Sequence, residues 1–268
     1  MALLAINDID MYYEVYGEGE SLVLVHGLGS STEDWEHQIT FFAQYFQVIV
    51  LDIRGHGKTT KAPGPYSVSL FTGDVATLLE RLSVSQATVL GISMGGMIAL
   101  QLALDFPDLV KRLVVVNTSS ELIFHTFKLK LAAQLRFLAL RFLGVKGIGR
   151  LLSKRLFPRP QQSLLRNRFI QRWSRNDKAA YACAMRALIG WSVTQRLQTI
   201  TQPVFIVASQ YDYFPLADKE KMAARLPDAQ VVMIADAHHA VTAEMPELFN
   251  DTVGRLLRCC VKNKSGAS

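Results

Sequence analysis

The residues best suited to chemistry surround Ser93, in the segment Gly91-Ile92-Ser93-Met94-Gly95-Gly96. This segment follows the apolar run 87–90 and precedes a helix-like run at 97–103, so it predicts a sharp turn from a strand into a helix. Glycine at 91 and 95 favours such a turn, because no Cβ clashes with the neighbouring backbone. The Ser93 hydroxyl would then stand clear of the sheet, and we predict that it is a nucleophile. A serine in an ordinary glycine-rich loop is the alternative interpretation.

A second glycine-rich loop, His26-Gly27-Leu28-Gly29, follows the apolar run 21–25. A backbone that bends toward a nucleophile while presenting an N–H group needs glycine. We predict that the N–H groups of Leu28 and of Met94, the residue after the serine, form an oxyanion hole. We also expect His26, Gly27 and Trp35 to contact the substrate. Without the turn at the serine, a glycine-rich turn with a structural histidine would be the better interpretation.

A serine hydroxyl needs a histidine to take its proton and a carboxylate to orient that histidine. The chain offers Asp212 and two adjacent histidines, His238 and His239, each at the end of a strand-like run. Asp236 is a competing carboxylate, but a loop seldom aims a side chain at its near neighbour, so we interpret it as a turn residue. We predict that Ser93, Asp212 and His239 act together without a metal ion or an organic cofactor.

Strand-like and helix-like segments alternate along most of the chain, with apolar runs at 21–25, 48–51, 87–90, 111–116, 203–208 and 230–234. This alternation predicts an α/β fold, with a mostly parallel sheet covered by helices and ligands at the carboxyl ends of the strands. The aromatic-rich segment Ile9–Tyr16 predicts an antiparallel edge strand. The loop from Asp52 through Arg54 and His56 lacks the spacing of a nucleotide-binding loop, and we expect hydrogen bonds to hold it together.

From about Ser119 to Arg196 the apolar spacing becomes helical. Six residues recur at intervals of three and four: Phe124, Phe127, Leu131, Leu135, Leu138 and Phe142. Glycines 144, 147 and 149 interrupt this helix, and the last helical segment runs from about Lys178 to Trp191. We predict a core of residues 1–118 and 197–268 and an all-helical cap of residues 119–196, with apolar faces toward the site and Lys and Arg outward.

The net charge of +6 is unevenly distributed. Residues 121–196 contain 16 Lys and Arg against two carboxylates, Glu121 and Asp177, whereas the rest of the chain is acidic overall. This division argues against a general nucleic-acid binder. A solvated basic face is the simplest interpretation. The alternatives are a surface for an anionic carrier, either an acyl carrier protein or CoA, and a membrane-surface role for the helix at 124–142.

The remaining composition indicates a cytoplasmic protein. Three cysteines, Cys183, Cys259 and Cys260, form neither a disulfide framework nor a zinc-like spacing. The chain has no signal-like N-terminal segment and no uncharged run long enough for a transmembrane segment. The oligomeric state is not readable from these features.

Four separated motifs together resemble the α/β-hydrolase superfamily, in its capped group of esterases, enol-lactone hydrolases, C–C bond hydrolases and cofactor-free haloperoxidase-like proteins. They are His26-Gly27-x-Gly29, Asp52-x-Arg54-Gly55-His56-Gly57, Gly91-x-Ser93-Met94-Gly95-Gly96 and His239-x4-Glu244-x-Pro246-Glu247. The order Ser, Asp, His along the chain is that of this superfamily. The resemblance implies the α/β-hydrolase fold with a helical cap.

The resemblance also ranks the alternatives at the site. It selects His239 over His238, which takes the family's usual glycine position, and it supports Asp212 in its x-Asp-x-x-Pro context. The family's other acid position is occupied by Asn117, which cannot serve as an acid. A serine at 93 disfavours haloalkane dehalogenation, for which the family uses aspartate there.

The function implied is that of a serine esterase that cleaves a small-molecule carboxylic or thio ester through an acyl-enzyme. The apolar side chains of the cap favour an apolar acyl group. Two alternatives stay open. One is an enol-lactone or C–C bond hydrolase with a carboxylate-bearing substrate, for which one inward-facing arginine would suffice. The other is a noncatalytic binding protein on the same fold.

Overall fold

The computed structural model describes residues 2–124 and 126–262, apart from the side chains of 128, 129 and 258–262. Within this part of the chain, one sheet contains eight strands: β1 (Ala2–Ile6), β2 (Ile9–Tyr16), β3 (Ser21–Val25), β4 (Gln47–Leu51), β5 (Ala87–Ile92), β6 (Val110–Val116), β7 (Val204–Tyr211) and β8 (Ala229–His238). Their spatial order is β1-β2-β4-β3-β5-β6-β7-β8. From β4 to β8 every neighbouring pair is parallel. The predicted mostly parallel sheet is confirmed.

The segment Ile9–Tyr16 is antiparallel, as predicted, but its predicted place at the sheet edge is wrong. β1 pairs with it from Ala2 opposite Tyr13 to Ile6 opposite Ile9, so β1 forms the edge. The tight connection between them places Asn7 at a φ of 51°, a conformation that asparagine tolerates better than most residues. The short run before Asn7 carried no turn or alternation signal strong enough to predict β1.

Helices cover both faces of the sheet. α1 (Glu36–Phe42), the short α8 (Val241–Glu244) and α9 (Pro246–Lys262) pack on one face, and α2 (Val68–Arg81) and α3 (Met94–Asp105) pack on the other. β3 serves both layers because successive side chains of a strand point to opposite faces: Leu22 and Leu24 belong to the first layer, Val23 and Val25 to the second. The 3-10 turn Thr32–Trp35 precedes α1, which ends at Phe42.

A helical insert separates β6 from β7, as predicted. It contains α4 (Phe127–Leu156), α5 (Ser163–Trp173) and α6 (Lys178–Leu188), so the last helix ends three residues before Trp191. Of the three glycines expected to interrupt α4, only Gly144 leaves the helical conformation, with φ 64° and ψ −176°. No helix in the described residues is long and apolar enough to cross a membrane. The division at 118/119 and 196/197 stays an interpretation.

The predicted orientation of α4 is wrong. Most of its apolar stripe is 42–78% exposed, namely Phe127, Leu131, Leu135, Leu138 and Phe142. The buried residues of α4 include Leu140 before the break at Gly144 and Val145 and Ile148 after it, and these pack with Trp173 and Tyr181 of the insert. The physical reason is that α4 carries apolar residues on two faces. Periodicity shows which residues share a face, but it does not say which face packs.

Arginines of α5 and of the turn that follows it attach the insert to the core. Arg172 lies 2.9 Å from Asp34 and 3.2 Å from Glu36, and Arg168 and Arg175 contact Glu36 and Glu33. Such exposed pairs contribute little one by one, but here three cations and three carboxylates form one network. Part of the insert's basic surplus therefore pairs with carboxylates of the core, although Arg168 and Arg175 are also largely exposed to solvent.

A buried ion pair anchors the loop after β4. Arg54 is buried and donates to Asp74 of α2 through Nε at 2.8 Å and Nη2 at 2.9 Å. The mostly exposed Asp8 accepts a further hydrogen bond from Nη1 at 2.9 Å. Asp52 accepts from the backbone N–H groups of Thr32 and Lys58, both at 2.7 Å. The loop is held by hydrogen bonds, as the sequence predicted.

Removing the buried partner of Arg54 should destabilise the fold. We expect Asp74→Ala to lower the free energy of unfolding by about 3–5 kcal/mol, because it leaves a guanidinium buried without its main counter-charge. Asp8→Ala is the matched control, and its effect should be much smaller because Asp8 is solvated. Urea unfolding followed by circular dichroism measures both, and equal effects of the two variants would contradict the assignment.

Candidate active site

Ser93 stands at a strained turn between β5 and α3. Its φ of 55° and ψ of −117° lie in a region that residues with a Cβ rarely adopt. The conformation is held from both sides: Ser93 N–H donates to Val116 O at 2.9 Å, and Thr118 Oγ1 donates to Ser93 O at 2.8 Å. Met94 opens α3, so its N–H is among those that a helix leaves without an intrahelical acceptor.

Three glycines around Ser93 are required by close packing. A Cβ on Gly91 would lie 2.2 Å from Gly95 O, and one on Gly95 would lie 2.0 Å from Val25 O. A Cβ on Gly96 would meet the Thr118 side chain at 2.7 Å. The turn is thus pressed against the end of β3. The structure brings the two glycine-rich loops together, as the sequence analysis expected.

The predicted base and acid are in contact. His239 directly follows β8, Asp212 directly follows β7, and His239 Nδ1 lies 2.5 Å from Asp212 Oδ1. Because a carboxylate can only accept, Nδ1 carries the proton and Nε2 is left as the basic nitrogen. Burial acts to raise the pKa of Asp212, but the hydrogen bond from His239 and the positive charge of Lys219 outweigh it, so this pKa lies below its usual value.

Lys219 of α7 (Leu216–Ala223) is the site residue that sequence reasoning missed. Its Nζ donates to Asp212 Oδ2 at 2.6 Å and to Phe214 O at 2.6 Å, and the side chains of Lys219 and Asp212 are each 1% exposed. Asp212 therefore lies between an imidazole and an ammonium group. A signal existed, because Lys219 precedes the buried Met222 and Leu226 by three and seven residues and thus shares their apolar helix face.

Asn117, which the sequence analysis considered and rejected as an acid, holds the strand ends together. Its φ is 45°, its Nδ2 donates to Ser209 Oγ at 2.8 Å and to His239 O at 2.9 Å, and its Oδ1 accepts from Ser209 N–H at 2.8 Å. Its neighbours Val116 and Thr118 bind the Ser93 backbone. The loops of Ser93 and His239 therefore meet at residues 116–118.

His238 and Asp236, the competing residues, have other partners. The backbone N–H of His238 donates to the buried Glu244 at 2.7 Å, and its Nδ1 lies 2.9 Å from the same carboxylate. Gln162 of the insert also donates to Glu244, at 2.7 Å. The exposed Asp236 lies near the end of β8 with φ 57°, in a stretch where the pairing with β7 shifts register. These two residues shape the loop of His239 and connect it to the insert.

The other predicted contacts have mixed placements. An ideal Cβ on Gly27 would lie 3.5 Å from Ser93 Cβ, so this loop does border the serine. His26 is buried; its Nε2 accepts from Ile53 N–H at 2.9 Å and its Nδ1 donates to Gly27 O at 2.8 Å. Burial lowers the pKa of His26, although the negative charge of Asp52 acts to raise it. Trp35 is buried with Phe42 beneath the sheet. These positions favour packing roles for His26 and Trp35 over substrate contact.

The insert covers this region with aromatic and basic side chains. Tyr213 stacks on His239 with ring centroids 4.3 Å apart. Arg155 of α4 places its guanidinium 4.4 Å from the centroid of the Tyr213 ring. Arg136 donates to the buried Tyr181 hydroxyl at 2.7 Å. Burial raises the pKa of Tyr213 to about 12 despite the nearby charges of Arg155 and Arg136, so its hydroxyl stays protonated.

Three buried hydrogen-bond donors in this cluster have no acceptor among the described residues: Arg136 Nε, Trp173 Nε1 and the Tyr213 hydroxyl. Unpartnered buried polar groups are uncommon, and each invites a functional explanation. Trp173 and Tyr181 are in ring contact, with centroids 5.7 Å apart, so these donors belong to one neighbourhood. An oxygen-rich or anionic group would satisfy them.

Comparison with known proteins supports one family. The family model described as alpha/beta hydrolase fold matches residues 20–245. The chain is 27% identical to 3-oxoadipate enol-lactonase 2 of Acinetobacter baylyi over 95% of this chain and 96% of that one. It is 32% identical to a Serratia proteamaculans protein named for a proposed carbamate hydrolase activity, RutD, over 90% and 93%. The crystal structure of the enol-lactonase from Burkholderia xenovorans is similar in fold, with a TM-score of 0.89, 24% identity and coverage of 96% and 99%.

Proposed function

Because the chain belongs to the α/β-hydrolase family, we propose that it is a serine hydrolase that cleaves a carboxylic or thio ester through Ser93, His239 and Asp212. The observation that carries the proposal is the strained serine at the strand-to-helix turn, joined through residues 116–118 to a histidine that donates to a buried aspartate. Such strain is maintained only where the surrounding structure enforces it, and it is concentrated at functional sites.

The proposed reaction is acyl transfer. His239 Nε2 takes the proton from Ser93 Oγ as the oxygen attacks the substrate carbonyl carbon. The N–H groups of Leu28 and Met94 stabilise the resulting oxyanion, and the Asp212 carboxylate stabilises the imidazolium. The imidazolium then gives its proton to the leaving group, and water, activated by the same histidine, releases the acyl group from Ser93. Apart from the substrate and water, every group that takes part in this proposed reaction belongs to the chain.

Loss of the nucleophile should abolish turnover. We expect Ser93→Ala to lower kcat/KM at least about 10⁴-fold for p-nitrophenyl esters, measured from acetyl to palmitoyl, with little change in melting temperature. Ser83→Ala is a matched control, because Ser83 also has a positive φ, 56°, but lies at the end of α2. If the parent is inert with every ester and still binds one, the noncatalytic interpretation gains support.

Lys219 should affect the pH dependence of this reaction. The positive charge of Lys219 partly offsets the negative charge of Asp212. Removing it in Lys219→Met therefore strengthens the attraction between the Asp212 carboxylate and the His239 imidazolium. We expect the acid limb of kcat/KM to move to higher pH, so that activity falls more at pH 6 than at pH 8. Lys221→Met is the control, since Lys221 lies on the same helix but pairs with Asp218 near solvent. Parallel loss at both pH values would indicate a structural role alone.

A second candidate function is hydrolysis of a lactone or ester whose acyl part carries a carboxylate. The three unpartnered donors support it, together with the guanidinium groups of Arg136 and Arg155. Charge-assisted hydrogen bonds from such groups to a carboxylate are strong and specific. The name of the Acinetobacter relative, an enol-lactonase, agrees with this chemistry. The alternative in which the basic insert binds an anionic carrier, an acyl carrier protein or CoA, gains no such support, because Arg172 and Arg175 contact carboxylates of the core.

The two candidates differ in what Arg136 does. If the acyl part is anionic, Arg136→Met should raise KM for an ester with a terminal carboxylate about tenfold or more, and leave KM for the neutral ester of equal length nearly unchanged. Arg150→Met, an exposed arginine of the same helix, is the control. Equal KM changes for both esters would favour the neutral, apolar acyl substrate.

A further inference from the structure

α4 presents an unpartnered apolar surface to solvent. We define the outer α4 face as Phe127, Leu131, Leu135, Leu138 and Phe142, all 42–78% exposed. At 100° per residue these positions share an arc of about 80°, and they span about 22 Å along the helix axis. Their grouping on one arc distinguishes them from the scattered single apolar residues normal on a protein surface.

The charged residues that α4 itself carries beside the outer α4 face are positive. By the helical period, Lys130 and Arg141 lie along one edge of the arc, and the Arg141 guanidinium is 6.0 Å from the Phe142 ring centroid. No Asp or Glu occurs between residues 122 and 176. Core carboxylates pair with Arg168 and Arg172 on α5 and with Arg175 just after it, whereas no ion pair among the described side chains involves Lys130 or Arg141.

These charges determine what can cover the face. A second copy of the chain would bring Lys130 and Arg141 against identical cations, with no carboxylate on the helix to compensate them. A convex apolar strip bordered by cations is instead the pattern of helices that lie in a membrane interface. We propose that the outer α4 face binds the surface of an anionic phospholipid membrane, with its Phe and Leu side chains among the acyl chains and its cations against the lipid phosphates.

The proposal concerns attachment to the surface and is independent of the reaction proposed above. The buried side of α4, with Leu140, Val145 and Ile148, stays packed on the insert while the outer face is in contact with lipid. Because binding needs no turnover, Ser93→Ala should bind vesicles as the parent does. A failure of the esterase assay therefore leaves this proposal standing, and the reverse also holds.

Vesicle cosedimentation of the full chain tests the proposal. We expect binding to phosphatidylcholine vesicles that contain about 30 mol % phosphatidylglycerol, at least tenfold weaker binding to pure phosphatidylcholine, and release at about 0.5 M salt. Phe127→Ser combined with Phe142→Ser should weaken binding at least tenfold, because both rings are lost from the interface. Lys130→Glu combined with Arg141→Glu should remove the preference for the anionic lipid.

Leu164→Ser is the matched control, since Leu164 is 81% exposed but lies on α5. It should bind like the parent. All these positions are exposed, so equal melting temperatures will show that the variants fold. Equal binding to both vesicle types, no binding to either, or parental binding by the double Phe variant would overturn the proposal. So would a concentration-dependent dimer in light scattering that the double Phe variant abolishes, because the face would then be a self-association surface.

Discussion

The arrangement at the strand ends depends on how one buried carboxylate is compensated. Asp212 lies between His239 and Lys219, with hydrogen bonds of 2.5 and 2.6 Å, and it also accepts from Tyr213 N–H at 2.7 Å. A buried carboxylate without such donors would cost several kcal/mol and would tend to take up a proton. The ammonium group keeps Asp212 ionised even when His239 is neutral, so the imidazole can exchange its proton without leaving the aspartate alone.

This compensation has a consequence for the proposed reaction. An aspartate that interacts with both a histidine and a lysine stabilises the imidazolium less than an unshared aspartate would. The hydrogen bond to Asp212 still fixes the tautomer of the imidazole, so Nε2 is the nitrogen that can accept a proton. Tyr213 limits the ring from one side by stacking, and Asn117 fixes the His239 backbone. Orientation is thus secured by contacts that carry no net charge.

Sequence reasoning was most effective where chemistry requires particular residue types in loops. The Ser93 turn was predictable because only glycine fits at 91 and 95, and the structure shows backbone oxygens where their Cβ atoms would be. The places of Asp212 and the two histidines after parallel strands predicted a contact at this edge of the sheet, and the family resemblance selected His239 over His238. The orientation of α4 was not predictable, because a helix with two apolar faces has the same apolar period whichever face packs. Lys219 was missed because charged residues are seldom buried, although its helical register with Met222 pointed inward.

The insert is attached to the core by both polar and apolar contacts. The polar contacts join Arg168, Arg172 and Arg175 to the acidic turn at 33–36, Gln162 to Glu244, and Asn176 to Gly29 O at 2.7 Å. The apolar contacts come from α6, whose Ala180, Ala184 and Leu188 belong to the same buried cluster as Val23 and Val25 of β3. α4 carries Arg136 toward Tyr181 on one side and exposed phenylalanines on the other. Both sides belong to the part of α4 before its break at Gly144, so the two proposals assign different sides of one helical segment to two different ligands, an anionic acyl group on the inside and a lipid surface on the outside.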